Sequence, residues 1–342
     1  MVGVVCMSRD LTWLPALRAW PIIILMLFMS LLVCVNGAPA ESDTGSQTAL
    51  NETWQAWQIL ETRTGRTLLF EEWLKILEQY DIIYLGEEHH NSFHIQAALK
   101  ILEQLVADGL EPTIGLEMFG WDGQAALDDY VSTNRPVTNE FLEQVRWKQN
   151  WGGAFEDYAP LVTFARDHHL SVRAMNPPKP LIRRVVQLGL EQAKGDPEWA
   201  AWGILQDEIL DDPVYRERIM DQLQRCHGGT EDHFRTMYEA SMVRDEGMAK
   251  TLVTRQKELR RDPSESRRII VSYTGGGHLQ YNLPVPKRVA RRLGGDIRQT
   301  TVYMMSFETN KADTVRAHME DPIADYIWLT PIGRSNPAKP CR

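Results

Sequence analysis

The chain has 342 residues, 24% of them charged and 43% hydrophobic, with a formal net charge of −9. That length accommodates one large domain or a core carrying an insertion, and the composition is that of an ordinary globular protein. The acidic balance excludes a general nucleic-acid binder, whose footprint is basic.

Arg9 and Arg18 precede an apolar run over 21–35, which ends in Asn-Gly-Ala-Pro-Ala. A positive region, a short apolar core and an Ala38-x-Ala40 ending read as a secretory signal peptide over 1–40, which directs the protein to the periplasm or cell envelope. The run is short for a membrane span of roughly 20 residues, and an uncleaved N-terminal anchor is the alternative. A lipid anchor on Cys34 is not expected, because Val33 stands where lipoproteins carry a small residue. Cleavage after Ala40 leaves Cys226 and Cys341, which fit either a disulfide or two unpaired thiols in an oxidising compartment. No C-x-x-C-H occurs, which excludes a covalently attached c-type haem.

Residues 41–60 are a polar lead-in, followed by a domain over 61–310 and an extension over 311–342. Apolar residues at helical spacing run from Phe70 to Tyr80, and a strand is expected over Asp81–Leu85. Gly86-Glu87-Glu88-His89-His90 then packs titratable residues into a turn, and a helix runs over Ile95–Leu110, stopping near Gly109. A second strand covers Pro112–Phe119 and carries Glu117 at its end; a third covers 171–175 after a helix over Phe155–His168. Residues 181–261 show almost no strand pattern and read as an inserted helical subdomain. Strands resume at 268–274, ending in Gly275-Gly276-Gly277-His278, then at 300–305 and 326–330, with a helix starting near Pro286. The alternation predicts an α/β fold: a mostly parallel central sheet flanked by helices, with the helical insertion.

His89/His90, Glu117 and His278 follow three separate strands, and in a parallel sheet all three ends share one edge, where such folds place ligands. Two imidazoles and a carboxylate suit a divalent metal such as Zn, Mn or Co, or an acid–base pair around a substrate. The structural alternative for each is a satisfied core or cap residue. His90 and His94, four apart, share a helix face if the helix starts early, and a solvated face is the expected reading. No G-x-x-x-x-G-K-S/T, G-x-G-x-x-G or G-x-S-x-G motif is present, so nucleotide and serine-nucleophile readings are weak. The aromatics Trp147, Trp151, Tyr158, Tyr273 and Tyr281 fit either a flat cofactor pocket or ordinary packing.

An ordered set of motifs carries a resemblance: G-E-E-H-H-N-S-F-H (86–94), I-G-L-E-M-F (114–119), Trp147 and Trp151 with Tyr158-Ala159-Pro160, A-M-N-P-P-K (174–179), R-D-E-G-M-A (244–249) and G-G-G-H-L-Q-Y-N-L-P-V-P-K-R (275–288). Over roughly 70–310 the chain resembles the ChaN family of bacterial haem-binding proteins, within the superfamily of the Tiki and TraB proteins and the erythromycin esterases. The resemblance implies a homodimer enclosing haem, with a haem-uptake receptor as a further partner. It also implies iron held by a tyrosine, Tyr281 or Tyr158, with Tyr281 preferred, and propionates met by His278 with Lys287 or Lys179. Enzymatic relatives imply the alternative, a metal-dependent hydrolase with Glu117 as base or ligand and His89 and His278 holding a metal or a water.

Overall fold

The structure, a computed structural model, describes residues 54–133, 135–204, 208–226, 228–261 and 268–333. The expected leader and the Cys226–Cys341 pairing fall outside them. Among the described residues no helix is long and apolar enough to cross a membrane.

A small antiparallel hairpin, β1 (Ile59–Glu61) and β2 (Thr67–Leu68), comes first. It is followed by α1 (Phe70–Leu77), β3 (Ile82–Glu87), α2 (Ser92–Ala107) and β4 (Glu111–Gly120). The helices α3 (Gln124–Ser132), α4 (Asn139–Gln144), α5 (Trp147–Asn150) and α6 (Ala159–Asp167) lead to β5 (Val172–Asn176). A helical run then intervenes: α7 (Lys179–Leu188), α8 (Leu190–Ala193), α9 (Pro197–Ala201), α10 (Pro213–Cys226) and α11 (Glu231–Arg261). The order closes with β6 (Arg268–Gly275), α12 (Val285–Arg292), β7 (Gln299–Ser306), α13 (Ala312–Glu320) and β8 (Tyr326–Thr330).

The strands make one eight-stranded sheet in the order β2-β1-β8-β7-β3-β6-β4-β5. It is parallel from β8 to β5, and the hairpin adds antiparallel on β8. Strands buried on both faces read as continuous apolar runs, and β3 shows why. Ile83 and Leu85 pack under α1 and α2, while Ile82 and Tyr84 pack with Met248, Leu252 and Val289 of α11 and α12 on the other face. The helices between β5 and β6 have a core of their own, around Ile182, Val185, Trp199, Tyr238 and Val243, as expected of a helical insertion. The sheet reaches beyond the expected limits of 61 and 310. Ile59 pairs with Trp328, so β8 is an interior strand of the domain.

The turn after β3 is shaped by its caps. Asn91 caps α2 by accepting from the Phe93 N–H at 2.9 Å, and donates to Ser306 Oγ at 2.8 Å. At the other end Gly109, at φ 78, lets the chain turn out of the helix, a residue without Cβ being the least strained choice there.

Candidate functional site

The parallel arrangement brings the ends of β3, β6 and β4 side by side, and His89, Glu117 and His278 do converge there. Glu117 lies on the floor, 1% exposed. Its Oε2 accepts the Gly275 N–H at 2.6 Å. Its Oε1 pairs with Arg244 and faces His278 Nε2 at 3.3 Å. Burial alone would raise this carboxyl, yet the positive charges of His278 and Arg244 hold it well below the ordinary range. The other ring nitrogen of His278 bonds Asp245 Oδ1 at 2.6 Å, and Asp245 Oδ2 accepts the Tyr215 hydroxyl at 2.6 Å. Burial works against charge on His278, but Glu117 and the bond to Asp245 outweigh it and push its pKa up to about 9. It is therefore an imidazolium at neutral pH.

A second carboxylate, Glu87 at the end of β3, is the hub beside it. Its Oε2 accepts from Tyr273 at 2.7 Å, and its Oε1 accepts from Tyr158 at 2.8 Å and meets His89 Nδ1 at 2.8 Å. The His89 ring lies so close to Gly275 that an added Cβ would come within 2.7 Å of Cε1. Burial lowers the His89 pKa, but the bond to Glu87 and the field of Glu117 raise it overall. His90, at φ 64, stands outside α2 and bonds Asp157 Oδ2 at 2.6 Å.

This geometry corrects several expectations. His90 and His94 do not share a solvated helix face. His94 is fully buried, accepts the Glu88 N–H at 2.9 Å, and burial lowers its pKa to about 4. Tyr158 is fully buried, and burial beside Glu87 pushes its phenol far up. Its hydroxyl is committed to Glu87 Oε1 at 2.8 Å. The alternative of Zn, Mn or Co held by His89, Glu117 and His278 has no support. Both nitrogens of His278 face carboxylates and carry protons, and both oxygens of Glu117 are engaged. Among the described residues no group of three or more His, Cys, Asp or Glu is set to hold a metal ion. Lys287 is on α12, more than half exposed and paired with Asp212, and does not line the cleft over this cluster. Lys179 does reach the cleft over this cluster, about 310 Å³, lined also by His89, His90, Glu117, Trp151 and Arg244.

Tyr281 lies in a second cleft, about 210 Å³, which shares no lining residue with the first. Its backbone is left-handed, φ 58 and ψ 17, an outlier for a bulky residue. The surroundings hold it there: its N–H donates to Ile323 O at 2.6 Å, and the next residue, Asn282, takes the Thr301 hydroxyl at 2.9 Å. The Arg218 guanidinium covers the Tyr281 ring at 3.6 Å. Two further tyrosines line this cleft. Tyr215 is spoken for by Asp245, and burial, with Glu88 nearby, pushes Tyr303 up to about 12. Of the five aromatics singled out in the sequence, only Trp151 and Tyr281 line one of these two clefts; Trp147, Tyr158 and Tyr273 are buried packing.

Three residues of the cluster were not singled out from sequence: Glu87, Arg244 and Asp245. Glu87 is the first acid after Gly86, and Arg244-Asp245 opens the R-D-E-G stretch. The available signal was a pair of acids, Asp245 and Glu246, at buried positions of a long helix.

Residues 73–289 match the family model described as haem-binding uptake, Tiki superfamily, ChaN. A solved structure of ChaN from Campylobacter jejuni, described as binding haem cofacially, is similar with a TM-score of 0.59 at 18% identity, covering 79% of this chain and 95% of that one. An erythromycin esterase mutant, EreC, in its open conformation gives a TM-score of 0.40 at 17% identity, covering 72% and 76%. The type III effector HopBA1 gives 0.43 at 10% identity, covering 77% and 93%. At such identities the first likeness establishes the fold. No curated protein matches the chain in sequence.

Proposed function

The chain belongs to the ChaN family of haem-binding uptake proteins in the Tiki superfamily, and from that premise we propose that it binds haem in the cleft of Tyr281, with the Tyr281 phenolate as the iron ligand. The observation that carries this reading is the phenol itself. It is half-buried, held at a strained backbone position and covered by the Arg218 guanidinium. Strain of this kind, on the order of 1–3 kcal/mol, collects where a side chain must be aimed.

The residues fit the group. Ile219, Leu283, Pro284 and Ile323 give the cleft an apolar wall, and Arg218 and Arg225, paired with Asp321 and Asp221, stand at its rim. Haem, when bound, supplies a ferric iron for which tyrosinate is a hard anionic ligand. The cleft volume of about 210 Å³ is below the roughly 300–1,000 Å³ that encloses a drug-sized ligand. A single chain would therefore leave much of a porphyrin uncovered, which supports a homodimer as the closed form. An exported carrier that passes haem to an uptake receptor is consistent with the leader over 1–40. The alternative set of propionate contacts, His278 with Lys287 or Lys179, gains nothing from the geometry, since none of the three lines this cleft.

Titration of the purified chain with hemin tests the proposal. A Soret band and a high-spin ferric tyrosinate spectrum are expected, with mass rising to that of a dimer in light scattering. Tyr281→Phe should remove the tyrosinate features and weaken binding at least about tenfold, ~1.4 kcal/mol. Tyr158→Phe and Tyr303→Phe should keep them. An unchanged spectrum in Tyr281→Phe overturns the ligand assignment.

A further inference from the structure

One short stretch of chain, the turn between α13 and β8, grips Tyr281 twice, directly at the backbone and through Arg218 at the ring. At the backbone, the Tyr281 N–H donates to Ile323 O at 2.6 Å. At the ring, Arg218 Cζ lies 3.6 Å from the centroid. That guanidinium is itself held in a fork: Nη1 donates to Asp321 Oδ2 at 2.8 Å and Nη2 to Asp321 Oδ1 at 3.2 Å. Paired bonds of this kind fix the plane of a guanidinium as well as its place, so Asp321 settles how Arg218 lies on the ring. The same turn also holds the next residue. Asn282, left-handed at φ 58, donates to Asp325 Oδ1 at 3.3 Å. Asp321, Ile323 and Asp325 all lie beyond residue 289, where the family match ends.

A half-buried side chain at the edge of a cleft samples several rotamers, and that freedom is lost when it takes a ligand. Fixing the side chain beforehand removes the cost from binding. A left-handed backbone does not do this alone, because it sets φ and ψ and leaves the side-chain torsions to the packing. We propose that Asp321 is a positioning residue: through Arg218 it clamps the Tyr281 ring, so that the phenol oxygen is presented in one orientation. The role rests on the reading of Tyr281 as the iron ligand. The side chains of Arg218 and Asp321 are 36% and 58% exposed, and exposed pairs contribute little to folding. Removing the carboxylate should therefore disturb the ring and not the fold.

Asp321→Asn is the test, since it removes the charge, keeps the size and leaves every lining residue of the cleft in place. Without hemin, the full chain labelled with fluorotyrosine gives a fluorine NMR signal for Tyr281, assigned by its loss in Tyr281→Phe. That signal should shift and broaden in Asp321→Asn and in Arg218→Lys, which keeps the charge but not the fork. Asp321→Glu should bring it back toward the wild-type position. With hemin bound, Asp321→Asn should release haem to an apomyoglobin trap about two- to fivefold faster, the scale of an exposed ion pair. The tyrosinate charge-transfer band should shift and not vanish, and the thermal midpoint should stay close to that of the wild type. An unmoved fluorine signal in Asp321→Asn overturns the proposal, as does an unchanged release rate. A large fall in the thermal midpoint overturns it in favour of a purely structural pair. A wild type without tyrosinate features overturns the ligand assignment and this role with it; failure of the clamp alone leaves the wild-type spectrum intact.

Discussion

The two clefts at the carboxyl edge of the sheet are built on opposite plans. Around Glu87 and Glu117 the polar groups are buried, and the acids have their partners in place from Tyr158, Tyr273, Gly275, Arg244 and His278. Around Tyr281 the side chain is half-exposed, the backbone is strained, and apolar residues share the lining with charged ones. Residue types that look most like chemistry thus serve to set the geometry of the first cleft. The less conspicuous phenol faces a space open to a ligand. Stability and ligand spectrum should therefore respond to different mutations.

The sharpest way to break this contrast is Glu117→Gln. It leaves Arg244 beside a neutral amide and His278 with Asp245 as its remaining acid, and removing one partner of a buried pair typically costs about 3–5 kcal/mol. Urea denaturation should show that loss, while the folded fraction keeps the tyrosinate spectrum. A cost under about 1 kcal/mol would mean the cluster does not hold the strand ends together. Next is the pH dependence. The pKa of His278 rises from 6.5 to about 9 on folding, so its contribution is complete below about pH 6.5 and is lost as pH climbs through 9. At 13% side-chain exposure the shift corresponds to roughly 3 kcal/mol. Glu117, depressed from 4.5, contributes above that value and loses its contribution as pH falls. These are one interaction seen from its two ends and are not summed. Denaturation midpoints from pH 5 to 10 should decline on the alkaline side, and His278→Gln should flatten the decline. Smallest is Lys287→Ala, which breaks a pair with its lysine 55% exposed. It should cost less than about 1 kcal/mol and leave hemin binding as it was, setting the floor against which the other two are read.

The convergence of His89, Glu117 and His278 was legible because each follows a continuous apolar run, and a parallel sheet buried on both faces puts all such ends on one edge. What they do there was not legible. Whether a histidine is a free base or an imidazolium clamped between carboxylates depends on Asp245 and Glu117, and Asp245 arrives from a helix 33 residues earlier. Tyr158 and Tyr281 looked alike in sequence, both aromatic residues inside shared motifs. Packing separates them: one hydroxyl is enclosed against Glu87, the other is turned toward a cleft by a left-handed backbone that no residue pattern announces at a tyrosine. The helical insertion was plain from its lack of strand pattern, whereas the place of residues 326–330 inside the sheet came from a pairing across most of the domain.

That pairing has a consequence for how the molecule is made. The β1–β2 hairpin joins the sheet only through β8, Ile59 lying opposite Trp328. A lone two-stranded hairpin is marginal in water, so while the ribosome is still making the chain this first piece has nothing to dock on. Of the parallel strands, β4 and β5 can pair as they emerge, β3 must wait for β6 and β7, and the edge beyond β7 stays open until β8 arrives. Closure links the two extremes of the domain, a long-range contact of the kind that slows folding and leaves a sheet edge exposed meanwhile.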